Sequence, residues 1–274
     1  MTDDTPNDKS DLDKSAPPVT DKGTGQTVTG QTVMGQTVTG QTVTGQTVMD
    51  RSGTAEANST PEDGMASAMT RNRMIKRTYE DPPTNELMGV YAAWADAYDS
   101  DLIDGHGYKA PEDAVAGFAT LGLAKNARIL DAGCGTGLVG LLLREAGFTH
   151  IDGADLSTEM RAIAAKHDVY NRLFQLDMTD DYGIAPTDAY DAVISVGVFG
   201  FGPPHVPHLH HIMGAAKPGA PVMITVNGAG WKVRGWDDSF APHLAEHGIA
   251  CVRNEPIRHM TKDGIGARLI ELRR

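Results

Sequence analysis

The chain is poor in positive charge, in cysteine and in long apolar runs. It has 24 Lys and Arg against 36 Asp and Glu, a net charge of -12. This balance disfavours a nucleic-acid groove reader, because such proteins present a basic surface. The two cysteines, Cys134 and Cys251, are too few for a disulfide framework and lack metal-ligand spacing. We therefore expect a protein of a reducing, cytoplasmic compartment that does not bind nucleic acid.

No apolar run approaches the roughly 18 residues that a membrane-spanning helix needs. The first residues are acidic and polar, and they contain neither the basic nor the apolar region of a secretory signal. The sequence thus predicts neither a membrane protein nor an exported one.

Residues 1–70 contain no aromatic side chain, and the pentapeptides GQTVT and GQTVM repeat between residues 25 and 49. A five-residue period matches neither a helix face nor strand alternation. So little apolar surface cannot offset the entropy lost on ordering. We predict a disordered tail over 1–70. The alternative is a β-type self-association element of stacked Thr-Val pairs.

Residues 71–84 are predicted to be a basic linker, with Arg71, Arg73, Lys76 and Arg77 forming a short positive cluster. A solvated linker is the preferred interpretation, and contact with phosphate or nucleic acid is the alternative. The folded domain is predicted for residues 85–274, and its first part, 85–124, is expected to form a helical cap.

Strand and helix patterns alternate after the cap. Apolar β-branched runs predict strands at 128–132, 151–156, 173–177, 192–198 and 222–226, and two further strands, 249–253 and 267–272, follow without a helix between them. Such alternation predicts an α/β fold with a mostly parallel seven-stranded sheet and helices on both faces. The last pair is expected to add one antiparallel strand near the C-terminus.

Glycines follow the first predicted strand, at Gly133, Gly135 and Gly137, directly after Asp131. Glycines at such a turn let a ligand approach the backbone, and the start of the next helix favours a polar or anionic group. The glycine spacing departs from the G-x-G-x-x-G pattern of dinucleotide-binding proteins, and a second nucleotide-binding half is not evident. The turn therefore favours a single nucleoside over NAD.

Two further acids end the next two predicted strands, Asp155 and Asp177. The carboxyl ends of parallel strands meet at one edge of the sheet, where ligands bind. We expect Asp155 to accept hydrogen bonds from ribose hydroxyls and Asp177 to accept from an adenine amino group. Met178 is expected to lie against the adenine ring.

The segment DAGCGTG at residues 131–137 resembles the first motif of class I S-adenosylmethionine (SAM)-dependent methyltransferases. The segments ADLSTEM at 154–160, LDM at 176–178, YDAVI at 190–194 and KPG at 217–219 extend this resemblance over residues 90–274. The segment YAAWADAYD at 91–99 resembles the N-terminal helix of small-molecule methyltransferases of the Williams-Beuren-region-like group. The resemblance implies a Rossmann-like fold and methyl transfer from SAM to a small molecule.

The resemblance and the strand-end positions together assign a cofactor-binding set: Tyr91, Tyr98, Asp131, Gly133, Gly135, Asp155, Leu156, Asp177, Met178 and Val196. The residues expected to line the acceptor pocket follow the fourth and fifth strands: Phe199, Phe201, His205 and Trp231. His205 and Tyr98 are the candidates for catalytic proton transfer. The Asn-Pro-Pro-Tyr signature of many adenine and amine methylators is absent, which disfavours methylation of DNA adenine and of protein glutamine.

Four histidines lie close together in the sequence: His205, His208, His210 and His211. On a helix, His208 and His211 share a face, and such a pair could bind a metal. A surface helix start is the preferred interpretation, so no metal site is expected.

Two other functions compete with small-molecule methylation. One is a protein or RNA methyltransferase that the repeat tail or the basic cluster recruits to its substrate. The other is a SAM-binding partner subunit without chemistry of its own, which the lack of an assignable base allows. The sequence leaves the acceptor atom, the pathway and the oligomeric state open.

Overall fold

A seven-stranded sheet organises the computed structural model, which describes residues 60–180 and 186–274 within a unit that runs from Glu56 to Arg274. Its strands are β1 Arg128–Ala132, β2 His150–Asp155, β3 Arg172–Gln175, β4 Ala192–Phe199, β5 Val222–Asn227, β6 Ala250–Met260 and β7 Ile265–Arg273. Residues 1–59, which hold the predicted repeat tail, and residues 181–185 lie outside the described residues.

The strand order is β3-β2-β1-β4-β5-β7-β6. The first five of these strands are parallel, and β7 runs antiparallel to both β5 and β6. This confirms the predicted mostly parallel sheet with one antiparallel strand near the C-terminus. Strand order reverses between β1 and β4, so the carboxyl edge of these two strands is the expected ligand site.

Helices cover both faces of the sheet. They are α1 Pro61–Arg71, α2 Arg73–Tyr79, α3 Thr84–Trp94, α4 Tyr98–Ser100, α5 Ala110–Ala119, α6 Leu138–Glu145, α7 Thr158–Ala164, α8 Leu209–Ala215, α9 Gly228–Val233 and α10 Trp236–Glu246. Adjacent residues of a strand pack into different apolar cores on the two sides of the sheet. Ile129 and Leu130 are both fully buried, but they belong to different apolar clusters. This is the alternation that a strand buried on both faces requires.

The structure corrects the predicted start of the folded part. Residues 61–79, which were assigned to the tail and the basic linker, form α1 and α2. Thr60 caps α1 in a reciprocal capping box with Asp63, and Asn72 caps α2. Ala68 and Ile75 are buried. The composition of residues 1–70 hides these helices because their stability comes from distant contacts rather than from a continuous apolar face.

Asp263 supplies one of those distant contacts, from the turn between β6 and β7. Its buried carboxylate accepts hydrogen bonds from Ser67 Oγ at 2.8 Å and from Arg71 Nε at 3.0 Å, and it lies 2.6 Å from Nδ1 of His106. Arg71, predicted to belong to a solvated linker, is thus an ion-pair partner that ties α1 to the sheet.

Two element boundaries differ from the prediction at the C-terminal end. β6 runs to Met260 rather than ending at Arg253, and α9 forms where no helix was predicted. Most of β6 is exposed because it is an edge strand, and it contains Pro256. Exposed edge strands lack the apolar alternation that marks a half-buried strand. None of the helices in the described part of the chain has the length and hydrophobicity of a membrane span.

Candidate active site

The turn after β1 has a backbone conformation that favours glycine. Gly133 and Gly135 have φ angles of 78° and 52°, a region that residues with a Cβ rarely enter. The N–H groups of Gly133 and Cys134 donate to the Ala154 carbonyl at 2.7 and 2.9 Å, so these hydrogen bonds hold the turn against the end of β2. A Cβ at Gly133 would lie 2.3 Å from Val198 Cγ2, whereas a Cβ at Gly135 would meet nothing within 4 Å. Gly135 therefore leaves room for a ligand.

Asp155 is the last residue of β2, and its carboxylate is held from two sides. Oδ2 accepts from the Gly135 N–H at 2.9 Å, and Oδ1 accepts from the Ser157 N–H at 2.8 Å. Burial raises the pKa of Asp155, and these backbone hydrogen bonds oppose that rise. The result is a carboxylate of fixed orientation at the mouth of the glycine turn.

A cavity, the outer cavity, opens at this edge of the sheet. It brings together nine of the ten residues predicted to bind the cofactor: Tyr91, Tyr98, Gly133, Gly135, Asp155, Leu156, Asp177, Met178 and Val196. Residues from three successive strand ends and from the N-terminal cap thus face one space.

Asp131 is the tenth residue, and it does not line this cavity. Its side chain is fully buried, and Oδ2 accepts a 2.7 Å hydrogen bond from the hydroxyl of Tyr170. Asp131 pairs with Gly153, two residues before Asp155, so its side chain lies below the strand ends at which the cavity opens. Burial raises the pKa of Asp131 to about 7.

Three tyrosines also line this cavity: Tyr91 on α3, Tyr98 on α4, and Tyr108. Burial raises the pKa of Tyr91 to about 12 and raises the pKa of Tyr98 and Tyr108 as well, so their hydroxyls remain protonated donors. The cap that carries them is tied to the turn, because Thr136 Oγ1 donates to Asp99 Oδ1 at 2.6 Å.

A second cavity of about 540 Å³, the inner chamber, adjoins the first. The two share six wall residues, which are Tyr91, Tyr98, Tyr108, Gly197, Val198 and Phe201. The inner chamber is completed by side chains from α2, β5 and β6, including Tyr79, Asn227, His259 and Met260. Among the described residues that line it, none is Asp, Glu, Lys or Arg. The chamber is therefore suited to an uncharged ligand.

A chain of hydrogen bonds crosses the inner chamber. Asn227 Oδ1 accepts from the N–H groups of Ala229 and Gly230 at the start of α9, which fixes the orientation of the amide. Asn227 Nδ2 must then be the donor to the Tyr79 hydroxyl, at 3.1 Å, and to His259 Nε2, at 3.1 Å. Because Nε2 accepts, the proton of the neutral ring lies on Nδ1.

His259 Nδ1 is buried and has no hydrogen-bond partner. Burial lowers the pKa of His259 to about 4, so the ring is neutral at physiological pH. A buried donor without a partner is costly unless a ligand satisfies it. His259 thus offers one N–H group to a molecule in the inner chamber.

The predicted acceptor residues are only partly brought together. Phe201 lines both cavities, and it stacks on Tyr79 with a ring separation of 4.0 Å. Phe199 lines the inner chamber only. Neither cavity includes His205 or Trp231, so the structure corrects both assignments.

Trp231 packs instead against Trp236, and its Nε1 donates to Asp237 at 2.7 Å. The backbone N–H of His205 donates to His208 Nδ1 at 2.8 Å, and burial lowers the pKa of both histidines. Tyr98, the other catalytic candidate, remains on the wall between the two cavities.

Sequence reasoning missed most of the inner chamber, including Tyr79, Tyr108, Asn227 and His259. Asn227 gave a usable signal, because it is a polar residue at the end of a buried strand. Tyr79 and His259 gave none, since α2 and β6 were not expected to reach the site.

Comparisons with known proteins agree with this architecture. A family model described as a methyltransferase domain matches residues 104–266. Human methyltransferase-like protein 27 is 32% identical over 169 residues, which cover 60% of this chain and 66% of that protein. The chain therefore spans just under two thirds of the length of this curated relative.

Among solved structures, a candidate S-adenosyl-L-methionine-dependent methyltransferase of Methanococcus maripaludis matches with a TM-score of 0.50 and 18% identity, covering 65% of this chain and 91% of that one. An S-adenosylmethionine-dependent methyltransferase of Mesorhizobium loti matches with a TM-score of 0.46 and 18% identity, covering 59% of this chain and 98% of that one. At such identities the likeness concerns the fold alone.

Proposed function

This chain belongs to the family of methyltransferase domains, and from that premise we propose that it transfers a methyl group from SAM to a small, uncharged acceptor. One observation carries the proposal: the cavity that holds Asp155 and the open glycine turn shares a wall with an uncharged inner chamber. SAM supplies a methyl group on a positively charged sulfur, and the carbon–sulfur bond breaks as the acceptor's lone pair forms the new bond.

The outer cavity suits SAM residue by residue. Asp155 is fixed by two backbone N–H groups at the end of β2, where a carboxylate can accept from ribose hydroxyls. Gly135 leaves its backbone open to the ligand. Asp177 and Met178 line the same cavity and suit the adenine. These residues bind and orient; none needs to react.

The inner chamber supports a small acceptor with a hydrogen-bonding atom. His259 Nδ1–H is a donor that lacks a partner, and the Tyr79 hydroxyl has Met260 Sδ as its hydrogen-bond acceptor, at 3.7 Å. Sulfur is a weak acceptor, so that hydroxyl can turn toward a ligand. Stacked Phe201 and Tyr79 rings favour a flat, apolar body.

The groups around the inner chamber are poor bases. Burial raises the pKa of Tyr79 and Tyr108, and His259 donates from the nitrogen that would have to accept a proton. An acceptor hydroxyl would need such a base. We therefore expect an atom that already carries a usable lone pair, such as the nitrogen of a neutral amine or of a heteroaromatic ring. Alignment of donor and acceptor then supplies much of the acceleration.

The test uses the purified full-length chain, labelled SAM and a panel of flat uncharged amines and heteroaromatics, with thiols, phenols, carboxylic acids and a cell protein and RNA extract as comparison. We expect methylation of members of the first group. Tyr79→Phe should raise the KM for the acceptor about fivefold, the worth of one hydrogen bond of about 1 kcal/mol, with SAM affinity unchanged. Tyr190→Phe is the matched control, because Tyr190 bonds Asp152 and lines neither cavity.

Two outcomes favour the competing functions instead. Methylation of protein or RNA with no small molecule modified would mean that a macromolecule is the substrate. SAM binding without transfer to any acceptor in the panel or extract would favour a non-catalytic partner subunit.

A further inference from the structure

Six of the ten histidines in the chain form one connected group of rings: His205, His208, His210, His211, His243 and His247. They come from α8 and the turn before it, and from the end of α10. None of these six rings lines the outer cavity or the inner chamber. The methyltransferase proposal therefore leaves the whole group unexplained.

Three histidines of the group have ring nitrogens close enough together to be candidate metal ligands. One nitrogen each from His210, His243 and His247 lies within 4.8 Å of the others. His243 and His247 are four residues apart at the end of α10, so they share one face of the helix. The rings of His210 and His247 are parallel and 4.6 Å apart, which brings α8 against that face.

His243 carries the second, independent observation. Its Nε2 atom is buried and has no hydrogen-bond partner. Buried polar atoms are normally satisfied, and one without a partner calls for an explanation such as an ion. A metal ion between the three rings would supply the missing partner.

We propose that His210, His243 and His247 form a binding site for a divalent transition-metal ion of the Zn²⁺ class. Imidazole nitrogens suit zinc, copper, nickel and iron, whereas magnesium and calcium prefer oxygen. Three histidines leave one tetrahedral position for water or an exogenous ligand. His247 is exposed, so that position opens to solvent.

Metal binding requires the histidines to move closer and to turn. Zinc–nitrogen bonds of about 2.0–2.1 Å in a tetrahedral site put the ligand nitrogens about 3.4 Å apart, whereas the three nitrogens lie within 4.8 Å of one another. The rings of His210 and His247 are nearly parallel, so one of them must rotate before both in-plane lone pairs reach the ion. The bound ion ties α8 to α10, two helices that are otherwise joined through apolar packing and ring contacts. A stabilising clamp on this side of the sheet is the expected role.

The test is calorimetric titration of the tag-free full-length chain with ZnCl₂ at pH 7.5. We expect one ion per chain and a rise in the melting temperature that EDTA reverses. His210→Gln, His243→Gln and His247→Gln should each weaken binding at least about 10- to 100-fold, the loss that follows even from removing a group that orients a ligand. A Co²⁺ titration should give the absorption spectrum of a tetrahedral site.

Two control variants separate a defined site from a generally histidine-rich surface. His208→Gln removes a ring of the same group that is not a proposed ligand, and His150→Gln removes an exposed histidine on β2. Both should keep stoichiometric zinc binding. Circular dichroism in EDTA checks that every variant is folded. Absence of 1:1 binding in the parent chain, full affinity in His243→Gln, or equal loss in His208→Gln would overturn the proposal.

Discussion

Two acids that end neighbouring strands have opposite environments. Asp155 is the last residue of β2 and faces the outer cavity, whereas Asp131 lies one residue before the end of β1 and is fully buried. In the parallel pairing of β1 and β2, Asp131 lies beside Gly153, two residues before Asp155, so the two acids share a face of the sheet and differ in their level along the strands. Single substitutions at the two acids should therefore have different consequences.

Asp155→Ala should weaken SAM binding by about 1.5–3 kcal/mol, roughly 10- to 150-fold, because it removes charged hydrogen-bond acceptors from the cavity. Titration calorimetry with SAM and with S-adenosylhomocysteine measures the change. Asp238→Ala, an exposed acid on α10, is the control and should bind normally. Unchanged affinity in Asp155→Ala would contradict the assignment of the outer cavity to the cofactor.

Asp131 should make stability depend on pH. Burial raises its pKa from 3.8 to about 7, so the folded state binds the proton more tightly than the unfolded state does. The contribution to stability is therefore fully present below pH 3.8 and is lost as the pH rises to about 7. Asp131→Asn cannot ionise. Its free energy of unfolding relative to the parent chain should rise by about 2 kcal/mol between pH 5 and pH 7.5.

Denaturant unfolding at several pH values checks the Asp131 prediction. A constant difference between variant and parent chain across this pH range would show that Asp131 ionises normally in the folded state.

At the scale of elements, a single hydrogen bond joins the cap to the glycine turn. Thr136 Oγ1 donates to Asp99 Oδ1, and Thr136 is buried. Asp99→Ala should leave this hydroxyl unsatisfied, at a cost of about 1–3 kcal/mol. We expect faster hydrogen exchange over α3 and α4 in the SAM-free protein. Asp96→Ala, three residues earlier and exposed, should leave exchange unchanged. If the two variants exchange alike, the cap is held by other contacts.

Local patterns predicted the elements whose signals are local. The glycine turn, the strand-end acids and the alternation of β1 to β5 depend on neighbouring residues, and the structure has them within a few positions of the expected bounds. The helices α1 and α2 could not be predicted in this way. Their anchor, Asp263, lies nearly two hundred residues later in the chain.

The inner chamber shows the same limit. Asn227 directly follows the predicted strand 222–226, but its partners Tyr79 and His259 come from α2 and from the extended part of β6. Neither element has a pattern that predicts where it packs. The cofactor side of the site was therefore predictable from sequence, and most of the acceptor side was not.

At the scale of the whole molecule, the family match and the candidate site have different extents. The methyltransferase model matches residues 104–266, yet Tyr79 and Tyr91 line the cavities from outside that range. The matched range thus supplies the glycine turn and the strand-end acids, and residues from the N-terminal helices complete both cavities. A functional unit that begins near residue 60 follows from this arrangement.

Two deletions test where that unit begins. Removal of residues 1–59 retains Thr60, which caps α1, and should keep SAM affinity and small-molecule methylation within about twofold, less than about 0.4 kcal/mol. Removal of residues 1–84 takes away Ile75, Thr78 and Tyr79 from the inner chamber and uncovers the surface on which Ala68 and Ile75 are buried. This deletion should lower the melting temperature and abolish transfer to the acceptor. If the shorter deletion abolished methylation while SAM still bound, the repeat segment would be required for acceptor recognition, as the macromolecular alternative demands.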